Sequence, residues 1–169
     1  HVIHQDHVMA WMIPKELFAK FLCLALHPSP LPKYRGGSPL QHQIIRGKDR
    51  SAVTIFKIEQ NLDIGPIYSQ TPFSLAGTIK DIFNRIGKIG AKDTITVLNG
   101  IANQTAQPKS QDPSGSTIFK RRRAQDSELT LYDFQSKTAK ELYNIIRALD
   151  DPYPNAYILC KDGKKLFLK

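Results

Sequence analysis

The chemically richest stretch of the sequence is His27-Pro28-Ser29-Pro30-Leu31-Pro32-Lys33-Tyr34-Arg35-Gly36-Gly37. His27 follows a continuous apolar run, Phe21 to Leu26. A histidine at the carboxyl end of a buried strand stands where α/β sheets bind their ligands. Its imidazole can take a proton from a nucleophile or hydrogen-bond an oxygen that is gaining charge. The prolines and glycines behind it hold the loop in one shape, as preorganised chemistry requires. Within that loop Lys33 and Arg35 can contact anionic groups, the arginine through two parallel hydrogen bonds. A second candidate lies in Asn61-Leu62-Asp63-Ile64-Gly65-Pro66-Ile67. Asp63 at a turn can orient a histidine or act as a base, or it can simply cap the turn, which is the commoner use.

The elements that must position these residues follow from apolar patterning. Val8 to Ile13 is a short apolar run and reads as a strand; Pro14 then opens a short helix to Lys20. Phe21 to Leu26, apolar throughout, reads as a strand covered on both faces, as in a parallel sheet, and the three together make a βαβ unit. Ser38-Pro39 reads as an N-cap and N1 proline opening a helix that stops at Gly47. Ala52 to Ile58 and Ile67 to Leu75 read as strands on either side of the Asp63 turn. The longest helix starts at Thr78, with Asp81 completing a capping box and Ile79, Ile82, Phe83 and Ile86 forming its apolar stripe. Gly87 and Gly90 mark close packing or a kink before the pattern resumes at Ile95, Leu98 and Ile101. Pro108 to Ser116 is polar and reads as a linker, followed by the basic run Lys120-Arg121-Arg122-Arg123. A helix near Thr138 to Leu149 and strands Ala156 to Cys160 and Lys165 to Leu168 close the chain, the strands joined at Asp162-Gly163, a hairpin signal. The division expected is a core at 1–107, a linker and basic segment at 108–126, and a small extension at 127–169.

Composition narrows the class. With 169 residues, 41% of them hydrophobic, the chain can build one real core. It is no collagen, disordered tail or disulfide miniprotein. No run reaches the roughly 20 apolar residues of a membrane helix, and two cysteines, Cys23 and Cys160, are too few for a disulfide framework. A cytoplasmic location is expected. The net charge of +9 permits a polyanionic partner without requiring one. The Lys120–Arg123 run is open between a solvated patch and a phosphate contact. His1, His4 and His7 with Asp6 have metal-like spacing but no closing ligand, and no metal site is expected.

His-Pro-Ser-x-Leu-Pro-x-Tyr-Arg-Gly, a helix, a Val-Thr strand and then Asp-x-Gly, with Asp63 placed 36 positions after His27, resembles the folate-dependent formyltransferases. Trp11-Met12-Ile13-Pro14 resembles their segment before the signature strand. Arg147-Ala148-Leu149 and Pro152-Tyr153-Pro154-Asn155-Ala156 resemble the segment shared by methionyl-tRNA and sugar formyltransferases. Lys120-Arg121-Arg122, Asp126-Ser127 and Gly163-Lys164-Lys165-Leu166-Phe167 look closest to the nucleotide-sugar N-formyltransferases. The resemblance implies an α/β fold: a Rossmann-like formyltransferase core, N-terminally incomplete, with a small C-terminal α+β extension ending in a β-hairpin.

It also implies transfer of a formyl group from 10-formyltetrahydrofolate to the amine of a nucleotide-linked 4-amino-4,6-dideoxy sugar. His27 and Asp63 would be catalytic. Trp11, Met12, Ile13 and Pro14 would contact the folate, and Leu31, Lys33, Tyr34, Arg35 and Gly36 the substrate. The partner expected is a small nucleotide-sugar, with no nucleic acid and no membrane, and a homodimer stays open. A methionyl-tRNA enzyme is the second reading, set lower because the sequence ends soon after Phe167. An inactive folate- or nucleotide-binding fragment is the third. Two departures stand out: further βαβ units precede this region in the family, and its Asn-x-His signature is here Ala25-Leu26-His27.

Overall fold

The computed structural model describes residues 13–169. The expectations for Val8 to Met12, for Trp11 and Met12 as folate contacts, and for His1, His4, Asp6 and His7 fall outside the described residues. A short helix α1 (Lys15–Lys20) leads to strand β1 (Leu24–His27), a two-residue strand β2 (Arg35–Gly36) and helix α2 (Pro39–Ile45). Strands β3 (Arg50–Lys57) and β4 (Ile67–Ser74) precede the long helix α3 (Ile79–Ala102). Beyond it come β5 (Ile118–Phe119), α4 (Leu131–Ser136), α5 (Ala139–Ala148), β6 (Ala156–Leu159) and β7 (Lys165–Leu168).

Among the described residues the main sheet has the order β1-β3-β4 with antiparallel pairing, Ala25 opposite Phe56 and His27 opposite Thr54. The parallel partner expected for this strand, Val8 to Ile13, falls outside the described residues except for Ile13; the expected cover on both faces is not found among the described residues. A long connection carries the chain from β1 through α2 to the far end of β3, which therefore returns beside β1 in the opposite sense. Only one flank of the run is covered among the described residues, so Phe21 is 64% and Leu26 41% exposed. β3 is the strand with two neighbours, and its residues Ser51 to Phe56 are all buried.

Leu40 and Ile44 of α2, Val53 of β3, Phe73 of β4 and Ile79, Ile82 and Ile86 of α3 form the principal core. Burying a side chain of this size is worth about 1.5–3 kcal/mol. Ala148 belongs to the same cluster, so α5 is part of this packing. Arg147 reinforces the junction by donating to the Leu75 and Gly77 carbonyls. Leu129, Leu149 and Ala156 make a smaller core beneath the β6–β7 hairpin.

Thr78 with Asp81 and Thr138 with Glu141 form capping boxes at α3 and α5. A third, Thr130 with Asp133, starts α4, a helix absent from the sequence expectations because its apolar residues Leu131 and Tyr132 face solvent. Two other expectations need correction. Ser38 precedes α2 but has φ 53 and makes no cap hydrogen bond; its hydroxyl accepts from the Arg122 amide instead. In the second half of α3, Val97 is buried while Ile95 and Leu98 are exposed. Gly90 marks close packing, since a methyl group there would come within 2.5 Å of the Leu26 side chain.

Candidate active site

β1 delivers His27 to the end of the sheet, where its side chain is 9% exposed and meets the edge of the Phe56 ring. Its Nε2 lies 2.8 Å from the Tyr34 carbonyl. A carbonyl can only accept, so Nε2 carries the proton. Nδ1 is thereby directed toward Asp63, whose Oδ2 is 3.7 Å away. That gap is too long for a direct hydrogen bond and short enough for an ion pair or a single bridging proton carrier. Asp63 Oδ2 also accepts from the Gly36 amide at 2.7 Å, while Oδ1 has no hydrogen-bond partner among the described residues. The carboxylate is thus anchored by one oxygen and open at the other.

The loop behind the histidine is fastened by side chains rather than by secondary structure. Gln43 and Ser51 donate to the Pro28 carbonyl, Thr54 to that of Ser29, and Gln70 to that of Leu31, while Ser29 donates to Lys33. Thr54, Ser29 and Gln43 are at most 1% exposed. Buried polar groups of this kind are costly unless paired, and here each pair also fixes one loop carbonyl. Tyr34 sits at φ 58, a left-handed conformation that turns its carbonyl toward His27. None of Gln43, Ser51, Thr54 and Gln70 was expected from sequence, because each is a single polar residue inside an element whose pattern is read from its apolar neighbours.

Asp63 is also left-handed, at φ 54, which Asp tolerates better than most residues. Gly65 lets the turn lie against β3: a Cβ there would be 1.8 Å from the Lys57 carbonyl oxygen. The segment expected to be a linker completes the site. Lys109 pairs with Ile67 through both backbone hydrogen bonds, and Gln111 reaches into the turn. The Gln111 amide donates to the Asp63 and Gly65 carbonyls at 2.9 and 2.8 Å. Its oxygen accepts from Arg35 Nε and Nη2 at 3.2 and 2.7 Å. Gln111 therefore joins the histidine loop to the aspartate turn, and no local signal in its polar surroundings marks it.

The expected substrate residues divide accordingly. Leu31, Tyr34 and Arg35 are 3%, 9% and 7% exposed and belong to the scaffold. Arg35 in particular spends its guanidinium on Gln111, which leaves it turned inward. Gly36 serves through its backbone amide on Asp63. Lys33 is exposed at the loop tip, Ile13 is half-buried and Pro14 is exposed. Ala25, two residues before His27 on β1, shares its face of the sheet.

Gln111→Leu is expected to destabilise the chain by at least about 1–3 kcal/mol, because it leaves buried donors and acceptors unpaired on both sides. Pairing it with Arg35→Met should recover part of that loss. Urea unfolding of both singles and the double checks this; fully additive losses would show that the two side chains do not act as a unit.

A sheet-end histidine faces a turn aspartate, and a loop of prolines and glycines holds the pair in a domain of mixed helices and strands. Residues 8–98, more than half the chain, match the model of the formyl transferase family, and the chain belongs to that family. The formyl donor of the family is formyl-tetrahydrofolate. The chain is 36% identical over 149 residues to the methionyl-tRNA formyltransferase of Lachnospira eligens, covering 87% of this chain and 45% of that protein. It thus spans about half the length of the curated relatives it matches. Its fold superposes on the Clostridium thermocellum methionyl-tRNA formyltransferase with a TM-score of 0.77 at 32% identity, over 94% of this chain and 72% of that one. A Mycobacterium tuberculosis protein suggested to be a sugar N-formyltransferase superposes with a TM-score of 0.80 at 25% identity, over 95% of this chain and 69% of that one. The formyltransferase α/β core and its terminal hairpin are therefore as expected. Among the described residues no helix is long and apolar enough to cross a membrane.

Proposed function

We propose that the chain transfers a formyl group from 10-formyltetrahydrofolate to a primary amine, with His27 and Asp63 managing the protons. The observation that carries this reading is the His27–Asp63 pair: a ring oriented through Nε2, and a carboxylate with one oxygen anchored and the other free. Formyl transfer needs an amine that loses a proton and a formyl oxygen that gains charge. The free oxygen of Asp63 and the Nδ1 lone pair of His27 suit the first need; once Nδ1 has taken the amine proton, its N–H is the donor that suits the second. The donor supplies the formyl carbon. On this chain, the folate contacts proposed among the described residues are Ile13 and Pro14, on the strength of the family resemblance.

The amine of methionyl-tRNA is the acceptor that the sequence relatives favour. The amino group of a nucleotide-linked 4-amino-4,6-dideoxy sugar is the second reading. It is supported by the fit to the Mycobacterium tuberculosis structure and by the Lys120-Arg121-Arg122 and Asp126-Ser127 motifs. A cytoplasmic setting, where both acceptors occur, accompanies either reading. The test is a single assay: the protein with 10-formyltetrahydrofolate and, separately, methionyl-tRNA and a panel of nucleotide-linked amino sugars, read by release of tetrahydrofolate and by mass of the acceptor. Turnover with one acceptor class assigns the substrate. Donor binding without turnover on any acceptor would favour a binding role instead.

A further inference from the structure

The Tyr34 carbonyl orients His27, yet Tyr34 itself is strained. Its φ of 58 lies in the left-handed region, which a bulky L-residue enters only at a cost. Strain of this kind persists where the surroundings over-determine it. The side chain supplies part of that grip, because it is 9% exposed and its ring stacks on Phe119 at 5.2 Å. The rest comes from Thr117, a residue 83 positions further along. The Tyr34 amide donates to Thr117 Oγ1 at 2.8 Å, and the Arg35 amide donates to the Thr117 carbonyl at 2.8 Å. Thr117 returns its own amide to the Pro32 carbonyl at 3.3 Å.

We propose that Thr117 is a positioning residue for His27, setting through Tyr34 which imidazole nitrogen carries the proton. The proposal rests on the formyl-transfer reading above, in which Nδ1 must be free to take a proton from the amine. Three observations support it. First, the two N–H groups that flank the Tyr34 α-carbon converge on Thr117, one on its hydroxyl and one on its carbonyl. With both peptide planes held, the φ and ψ of Tyr34 are fixed. Among the described residues the Tyr34 amide has no other partner, so loss of the Thr117 hydroxyl releases one of the two planes.

Second, the peptide unit between Tyr34 and Arg35 is shared. Its oxygen accepts from His27 Nε2 at 2.8 Å, and its N–H donates to Thr117. A peptide hydrogen-bonded at both ends is polarised, which strengthens each bond. Third, the ring has a competing acceptor. Asp63 Oδ2 stands 3.7 Å from Nδ1 and draws the proton the other way. The bond made by one ring nitrogen decides the state of the other, so the Tyr34 carbonyl prevails only while it stays in reach of Nε2. If Tyr34 relaxes toward negative φ, its carbonyl swings away. The proton then passes to Nδ1, which no longer offers a lone pair to the amine.

The test compares the parent with Thr117→Val, which removes the hydroxyl and keeps the shape, and with Thr117→Ser, which retains the hydroxyl. Ser114→Ala is the control on the same segment, since the Ser114 hydroxyl donates to Asp112 and not to the histidine loop. Thr117 is exposed, so the fold is expected to survive its replacement. Nitrogen-15 NMR of the histidine rings, at about pH 8 where an ordinary imidazole is neutral, reads the tautomer in the full chain without substrate. The His27 signals are assigned by their loss in His27→Asn. The expected result is a proton on Nε2 in the parent, Thr117→Ser and Ser114→Ala, and mainly on Nδ1 in Thr117→Val. In formyl transfer, Thr117→Val should lose about 10–10²-fold in kcat, with KM changed less than about twofold. A parent ring protonated on Nδ1, or a Thr117→Val ring that keeps the parent's tautomer, would overturn the proposal. So would Thr117→Ser or Ser114→Ala rings displaced as far as that of Thr117→Val, or a displaced tautomer with the parent's kcat. The spectroscopic arm does not depend on turnover, so the two readings fail separately. A tautomer that responds in a protein formylating no acceptor leaves the positioning role standing and removes the formyl-transfer reading. Unchanged tautomers in an active enzyme remove the positioning role alone.

Discussion

Asp63→Asn is expected to lower formyl transfer by about 10²–10⁴-fold, the usual contribution of a positioned acid–base group. The substitution is chosen because it removes charge and basicity while keeping the architecture. The asparagine oxygen can still accept from the Gly36 amide, as Asp63 Oδ2 does at 2.7 Å, and asparagine tolerates the φ of 54 at this position. What disappears is the carboxylate 3.7 Å from His27 Nδ1 and the second oxygen able to take a proton from the incoming amine. The loss should therefore fall on kcat, with substrate affinity largely kept. Steady-state kinetics, alongside amide exchange at Gly36 to verify the anchor, decides it. A variant with the parent's rate and an intact anchor would show that Asp63 is a structural tether and nothing more.

Ala25→Asn is expected to act in the opposite direction, raising formyl transfer by about 10²–10³-fold, the range associated with one oxyanion donor. Ala25 lies on the same face of β1 as His27, opposite Phe56, and is half-buried. An amide there would project beside the imidazole toward the oxygen that gains charge. Such a donor works on the transition state, so turnover should rise and ground-state binding change little. The added volume is the risk: where the neighbourhood has closed around a methyl group, overpacking costs about 1–3 kcal/mol. Thermal unfolding of the variant distinguishes the outcomes. A stable Asn variant with unchanged turnover would mean that the site lacks more than this donor, and a binding role would then be the better account. Because the parent's turnover is the baseline for both experiments, Asp63→Asn is best measured with and without Ala25→Asn.

Much of the site was legible from local sequence, and the reason is chemical. The prolines and glycines around His27 announce a fixed loop, and Asp63 stands at a turn that Gly65 requires. The capping box at Thr78 is equally readable, since both partners lie within four residues. The failures share one cause, dependence on distant partners. Arg35 looked like a free anion contact until its acceptor, Gln111, came in from 76 residues away. The polar composition around Gln111 reads as a tether, and only the folded chain shows that the tether closes the site. Phe21 to Leu26 read as a doubly covered strand because apolarity was taken for burial. Composition alone cannot say which flank of a strand receives a neighbour, nor in which direction that neighbour runs.

The pairing of β2 with β5 carries a consequence for how this chain becomes competent. Tyr34 and Ser38 are bonded to Thr117 and Arg122, partners 83 and 84 residues further along. Contacts of such separation require closure of a large loop before they return any stability, so they form late in folding. During synthesis the sheet, α2 and α3 can all emerge and pack while Tyr34 and His42 still lack the stacked Phe119 and Asp63 lacks Gln111. The histidine loop is then tied to the sheet but not yet registered against the aspartate turn. Competence arrives only when the segment around residues 109–122 threads back across the front of the sheet, so the ordering of that segment works as the chain's own checkpoint of complete folding.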